Sequence, residues 1–178
     1  MDICGKLVKL RAFRPADAQP ITEALADPEI VSNLANWSWG PYGLNDAQEF
    51  LSRRDPSHLA WAIECLADGT LVGATGLQEI DVRNRHCEWG IWIGPKSRWG
   101  HGYGSEACQL AVGFAFRQLG MEKVWLYVYE GNDRGRRAYE KAGFKVEGTL
   151  QRHVFQNGRF ITVHLMAVFS DHPLYAVS

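Results

Sequence analysis

The chain has 178 residues, 46% of them hydrophobic and 22% charged, with a formal net charge of −1. That is the composition of one globular domain with a sizeable core, and it excludes a disordered chain. No apolar run approaches the roughly 18 residues of a membrane span. No basic excess suggests a nucleic-acid partner. Met1–Arg11 alternates and carries charge, unlike a secretory leader, so a cytoplasmic location is expected. Cys4, Cys65, Cys87 and Cys108 are far apart and form no C-x-x-C pair, and the histidines form no H-x-x-x-H pair. Zinc-type spacing is therefore missing, and no metal is expected.

In chain order, Lys6–Arg11 alternates and reads as a strand. Pro15–Ala26 reads as a helix ended by Asp27-Pro28, and a second helix is expected after an Asn45 cap. His58–Leu66 and Thr70–Ile80 are β-rich runs joined through Asp68-Gly69, and Arg85–Ile93 is a further strand. Tyr103–Leu119 has helical spacing at Ala107, Leu110, Ala111, Phe114 and Ala115, and Gly120 stops it. Lys123–Tyr129 reads as a strand, and Asp133–Ala142 as a helix closed by Gly143. Phe144–Phe155 and Arg159–Phe169 are two last strands around Asn157-Gly158, a strong hairpin turn signal. No repeat or linker interrupts the series, so residues 1–178 are read as a single domain. The expectation is an α/β (α+β) fold, a mixed sheet with helices packed on it.

The chemistry concentrates after Ile93. Gly94-Pro95-Lys96-Ser97-Arg98 leads into Trp99-Gly100-His101-Gly102-Tyr103-Gly104-Ser105, where alternate glycines open the longest helix. Glycine admits positive φ and close ligand approach, and a helix N-terminus offers unpaired N–H groups to an anion. Strand, glycine turn and helix together can cradle a pyrophosphate. A Rossmann G-x-G-x-x-G would need glycine where Ser105 stands, and the P-loop pattern is absent.

Trp99-Gly100-His101-Gly102-Tyr103-Gly104 resembles the [QR]-x-x-G-x-[GA] motif of the GNAT acetyltransferases, whose amides hold the pyrophosphate of coenzyme A. Trp99 departs from the Gln or Arg of the superfamily and looks like the W-G-x-G-[YF] of the RimJ/RimL-type branch. Asn132-Asp133-Arg134-Gly135-Arg136-Arg137-Ala138-Tyr139-Glu140-Lys141-Ala142-Gly143-Phe144 is similar to that branch's N-x-x-S-x-x-x-Y-E-K-x-G-F, with Gly135 in place of the serine. The resemblance covers nearly the whole chain. It implies a GNAT acyltransferase fold, a central sheet of about seven strands with about four helices. It also implies an acetyl-CoA-dependent N-acetyltransferase that moves the acetyl group to a primary amine, on a protein N-terminus or a small molecule, by direct attack on the thioester. The alternatives are a coenzyme A-binding regulatory module with little catalysis, or transfer from another donor such as succinyl-CoA. Homodimers are frequent in the branch, so a homodimer is implied.

The resemblance further implies a cofactor site of Ile91, Trp92, Ile93, Trp99, Gly100, His101, Gly102, Tyr103, Gly104, Ser105, Asn132 and Arg137. In such folds the strand before the glycine turn splays from the one starting at Lys123, and its backbone N–H groups face the thioester; Gly90 is compatible with a bulge there. Asn132 matches a residue that hydrogen-bonds pantetheine or a nearby water. Tyr139 matches the tyrosine that protonates the departing thiolate. Arg134, Arg136 or Arg137 could reach a phosphate. Glu88 is the candidate base: alternation puts it on one strand face with Trp92, and Cys87, Trp89 and Ile91 on the other. The aromatic, Gly/Pro-rich stretch Asn33–Gly43 lies where these enzymes build part of the acceptor site, so Trp37, Trp39 and Tyr42 are candidate acceptor-binding residues. It holds no dense acidic run that would point to a polyamine.

Overall fold

The computed structural model describes residues 2–34, 40–53 and 55–176. Its strands are β1 (Ile3–Cys4), β2 (Val8–Arg11), β3 (Leu59–Cys65), β4 (Leu71–Asp81), β5 (His86–Ile93), β6 (Lys123–Tyr129), β7 (Lys145–Gln156) and β8 (Arg159–Phe169). Its helices are α1 (Ala18–Leu25), α2 (Pro28–Val31), α3 (Leu44–Ser52), α4 (Tyr103–Arg117) and α5 (Asp133–Lys141). The strands form one sheet in the order β1-β2-β3-β4-β5-β6-β8-β7. Neighbours are antiparallel except β5 and β6, which run parallel across the connection that holds α4.

Period-two alternation divides the apolar side chains between two sheet faces. On one, Cys87 and Trp89 of β5 and Val124, Leu126 and Val128 of β6 pack with Ala107, Cys108, Ala111, Val112 and Ala115 of α4. The small residues at helical spacing let α4 lie close on the strands. On the other face Trp92 and Ala74 pack with Ala18, Ile21, Ala24 and Leu25 of α1, Ile30 of α2 and Ala47 of α3. Each large aliphatic side chain so buried contributes about 1.5 to 3 kcal/mol.

The sheet has eight strands, one more than expected, because the two-residue β1 is too short to leave a pattern. The first predicted helix is a 3-10 turn at Pro15–Asp17 followed by α1. Asp27-Pro28 ends α1 and also begins α2: the Asp27 carboxylate accepts the Glu29 N–H at 2.9 Å, and Pro28 takes the first turn, where a missing N–H does no harm. Helix α3 starts one residue before the expected Asn45 cap; the Gly43 N–H donates to the Asp46 carboxylate at 2.7 Å. No bulge occurs at Gly90, which pairs in register with Gly76; the irregularity falls between Gln78 and Asp81, where Glu79 has φ of 49°. The hairpin signal at Asn157-Gly158 becomes a turn with φ of 50° and 77°.

A buried ion cluster ties α1 to the sheet. Arg11 donates to both oxygens of Asp17 at 2.8 and 2.9 Å and also to Glu64, which Lys9 meets at 2.9 Å. Hydrogen bonds to the two carboxylates hold the Arg11 guanidinium above its ordinary pKa against desolvation. Nothing in the local pattern of β2 announces this cluster, because Glu64 lies 53 residues away.

Candidate active site

The site begins with an opening in the sheet. β5 and β6 pair only at His86↔Lys123, Cys87↔Val124 and Glu88↔Trp125. Beyond that point β5 stays with β4 as far as Ile93↔Gly73, and β6 stays with β8 as far as Tyr129↔Val163. The strands therefore part after Glu88 and Trp125. The Gly94 N–H bonds the Val72 carbonyl at 3.0 Å, so alternation turns the amides of Trp92 and Gly90 towards β4 as well. Those of Ile93, Ile91 and Trp89 face the opening.

Next to the opening lies a cleft of about 330 Å³. Ile91–Ile93, Trp99, Gly100 and the start of α4 from Gly102 to Ser105 form one wall, and α5 forms the other. Gly100 and Gly102 have φ of 81° and 85°, left-handed conformations that turn the chain into α4 without a side-chain cap. The Trp99 indole N–H donates to the Ile93 carbonyl at 2.7 Å and fastens the turn to the end of β5.

On the opposite wall Asn132 caps α5, its Oδ1 accepting the Gly135 N–H at 3.0 Å. A Cβ at residue 135 would come within 2.7 Å of the Asn132 amide nitrogen. Glycine in place of the family serine leaves the room this cap occupies. Arg134, Arg137, Ala138 and Lys141 recur at helical spacing and all face the cleft. Arg134 lies over the Trp99 ring, 3.3 Å from its centroid, and spans the two walls. Desolvation draws its guanidinium pKa down, opposed by Glu29 and the Tyr139 phenol. Among the described residues neither Arg137 nor Lys141 has an ion-pair partner. Two helix N-termini and these three cations of α5, with Arg98 paired to Asp68 on the same lining, favour a polyanionic ligand.

Tyr139 lines the same cleft with its ring edge-on to Trp89, centroids 5.4 Å apart. Burial pushes its phenol well above the ordinary range, the neighbouring Cys108 thiol adds to this, and Arg134 opposes it. Glu88 lies across the sheet, on the face away from Cys87 and Trp89, at the last paired position before the strands part. Burial raises its carboxyl pKa, a hydrogen bond with Gln78 works against this, and Glu79 adds to it. Burial raises the phenol pKa of Tyr129, at the far end of β6, and the Glu88 charge adds to it.

Most of the sequence-assigned cofactor residues thus meet in one cleft: Ile91, Ile93, Trp99, Gly100, Gly102, Tyr103, Gly104, Ser105, Asn132 and Arg137. Trp92 also lines it, but its amide faces β4 and its side chain packs with α1 and α3. His101 does not line it; its ring is exposed and stacks on Tyr103 at 5.6 Å. Tyr42 packs against the cluster on the α1–α3 face, where desolvation and the Asp46 carboxylate push its phenol up to about 12. Trp37 and Trp39 lie outside the described residues. Sequence reasoning missed Lys141, whose helical spacing from Arg134 and Arg137 was a usable signal, and Ile30 and Arg98, for which there was none; Asn33 and Leu34 open the stretch read as part of the acceptor site. Among the described residues no group of three or more His, Cys, Asp or Glu could hold a metal, and no helix is long and apolar enough to cross a membrane.

A parted sheet beside a glycine-turned helix start and a basic cleft defines a site for acyl transfer from a phosphate-bearing thioester. Residues 8–145 match the acetyltransferase (GNAT) domain, and the chain belongs to that family of N-acetyltransferases, which use acetyl-CoA as co-substrate. It is 30% identical over 168 residues to the spermidine N(1)-acetyltransferase of Vibrio cholerae, covering 93% of this chain and 94% of that one. It is 24% identical over 169 residues to the L-amino acid N-acetyltransferase AaaT of Escherichia coli strain K12, covering 90% and 96%. In structure it is similar to the spermidine N-acetyltransferase of Vibrio cholerae in complex with CoA and spermine, with a TM-score of 0.82, 27% identity, and 93% and 96% of the two chains covered. The fold is the GNAT fold.

Proposed function

We propose that this chain transfers the acetyl group of acetyl-CoA to the primary amine of a small molecule, and that it is of the RimJ/RimL type. The observation that carries the reading is the parting of β5 from β6 beside the basic cleft, with Glu88 and Tyr139 on opposite faces of the opening. The relatives named for spermidine and amino acids favour a small-molecule acceptor over a protein N-terminus. The stretch Trp99–Tyr103 and the run Asn132–Phe144 support the branch.

In this reading the amides of Gly102 to Ser105, with Arg137 and Lys141, hold the pyrophosphate, and the pantetheine arm lies in the opening between β5 and β6. The N–H groups of Ile91 and Ile93 stand along that arm, where the thioester oxygen gains charge, and donors fixed before the reaction stabilise such charge strongly. The acceptor approaches from the Glu88 face and must be neutral to attack. Deprotonating an amine of pKa about 10.4 at pH 7 costs roughly 4 to 5 kcal/mol, and one near 8 only about 1 to 1.5. A carboxyl whose pKa is raised by burial is a stronger base for that task, directly or through a water. The nitrogen forms a bond to the acetyl carbon, the carbon–sulfur bond breaks, and the thiolate takes the Tyr139 proton on the other face. Burial that raises the phenol pKa raises that of a thiol in the same place, so the two stay matched.

The test is calorimetric titration with acetyl-CoA, followed by thiol release across a panel of polyamines, amino acids and N-terminal peptides. Micromolar binding with turnover on a small amine is expected. Turnover confined to peptides would move the acceptor to a protein N-terminus, and binding without turnover on any amine would make the chain a coenzyme A-binding module.

A further inference from the structure

The glycine turn is braced from behind by a contact that the acetyl-transfer reading does not use. Glu106, in the first turn of α4, does not line the cleft. Its carboxylate accepts the backbone N–H groups of Lys6, Leu7 and Val8 at 2.8, 2.7 and 2.8 Å. Lys6 and Leu7 belong to the turn between β1 and β2 and Val8 opens β2, and their successive amides form a nest around the anion. The approach is close: a Cβ on Gly5 would stand 2.5 Å from a Glu106 oxygen. The same turn carries Leu7, whose Cδ1 lies 3.3 Å from where a Cβ on Gly102 would be. One turn of chain thus grips α4 through Glu106 and backs the glycine at its start through Leu7.

We propose that Glu106 is a positioning residue for the phosphate cradle. It fixes the β1–β2 turn beneath Gly102 and so sets the direction of the free N–H groups at the start of α4. The proposal rests on the reading that the cleft binds acetyl-CoA. Two features of the site fit this role. Gly102 offers no side chain to cap α4, so the helix start needs support from elsewhere. A bare carboxylate one turn from a pyrophosphate would repel it, but this one is turned to the β1–β2 side and its charge is stabilised there by three charge-assisted hydrogen bonds.

The experiment compares Glu106→Gln with the wild type on two donors: acetyl-CoA, and S-acetylpantetheine, which has the reacting thioester but no phosphates. The amide is nearly isosteric, but its NH2 opposes backbone N–H donors and opens the nest. A cradle moved by a fraction of an ångström should raise the KM for acetyl-CoA, and the Kd of coenzyme A, about tenfold, with kcat at saturation within about twofold. On S-acetylpantetheine the two proteins should have the same kcat/KM. Equal losses on both donors, or an unchanged KM for acetyl-CoA, would overturn the proposal. If Glu106→Gln does not fold, Gly5→Ala carries the test, since its Cβ pushes the turn off an intact carboxylate and should raise the same KM. Failure of the wild type to bind coenzyme A would instead remove the reading beneath the proposal, and the proposal with it.

Discussion

The two faces of the sheet are built from similar residues and put to different use. On the α4–α5 face the cleft is made largely of backbone: left-handed Gly100 and Gly102, the starts of α4 and α5, and the unpaired edge of β5. On the α1–α3 face the same aromatic richness goes into packing: Trp92 is in the core, Phe13 meets Phe50 edge-on at 5.2 Å, and Tyr42 joins them. A cradle made of backbone imposes strict demands on residue type, because few residues other than glycine tolerate positive φ. A wall made of aromatic side chains imposes none that a core does not also impose.

The largest effects should therefore come from the backbone of the cofactor side. Gly102→Val places a β-branched residue at φ of 85° and closes the approach to the turn. Coenzyme A binding by calorimetry should weaken about 10²-fold or more, as expected for forcing such a residue into the left-handed region. Affinity equal to the wild type would mean that the phosphates sit elsewhere. Tyr139→Phe should lower kcat by about 10²-fold and leave the KM for acetyl-CoA nearly unchanged, because a proton donor acts in the transition state and adds little to ground-state binding. A parallel rise in KM would make Tyr139 a binding residue and return it to the Trp89–Phe144 cluster it touches.

Glu88 tests the other face. As a base it works ionised, so kcat/KM should rise with pH through its pKa. Burial raises that pKa, so the acid limb should lie above the ordinary carboxylate value of about 4.3. Glu88→Gln should lower kcat by about tenfold or more and remove the limb, with coenzyme A affinity unchanged. A limb that survives the substitution belongs to another group.

The same contrast governs what could be read in advance. The parting of β5 from β6 was legible only through the family resemblance. The order of elements, the glycine turn and the facing of Glu88 follow from patterns within a dozen residues, and they match the structure. The pieces that hold the site together do not. Glu106 meets Lys6–Val8 across about 100 residues of sequence, and Glu64 meets Arg11 across 53. Each is an ordinary surface-type residue in its own segment, and only the closed sheet brings the partners together. Helix α2 was hidden for another reason: Asp27-Pro28 both stops one helix and caps the next, and a local rule sees only the stop. Membership in a matching string does not say which way an amide or a ring turns: Trp92 lines the cleft while its ring packs into the α1–α3 core, and the His101 ring stacks on Tyr103.

The smallest effect, and the finest test of the contrast, belongs to Arg134. It stands over Trp99 at the cleft mouth while Arg137 and Lys141 have no ion-pair partner among the described residues, so it shares the phosphate charge with two other cations. The stacking itself is worth about 0.5 to 1 kcal/mol at a solvent-exposed position. Arg134→Ala should weaken coenzyme A binding only about three- to tenfold, and it should flatten the fall of affinity with added salt, because one screened charge is gone. Trp99→Phe keeps a ring beneath the guanidinium but loses the indole bond to the Ile93 carbonyl. If Arg134 acts on phosphate directly, Trp99→Phe should leave the salt dependence as in the wild type while lowering affinity through the loosened turn. Salt dependence that changes equally in both variants would mean that the guanidinium serves to hold Trp99 in place, making this contact, too, a matter of setting the backbone.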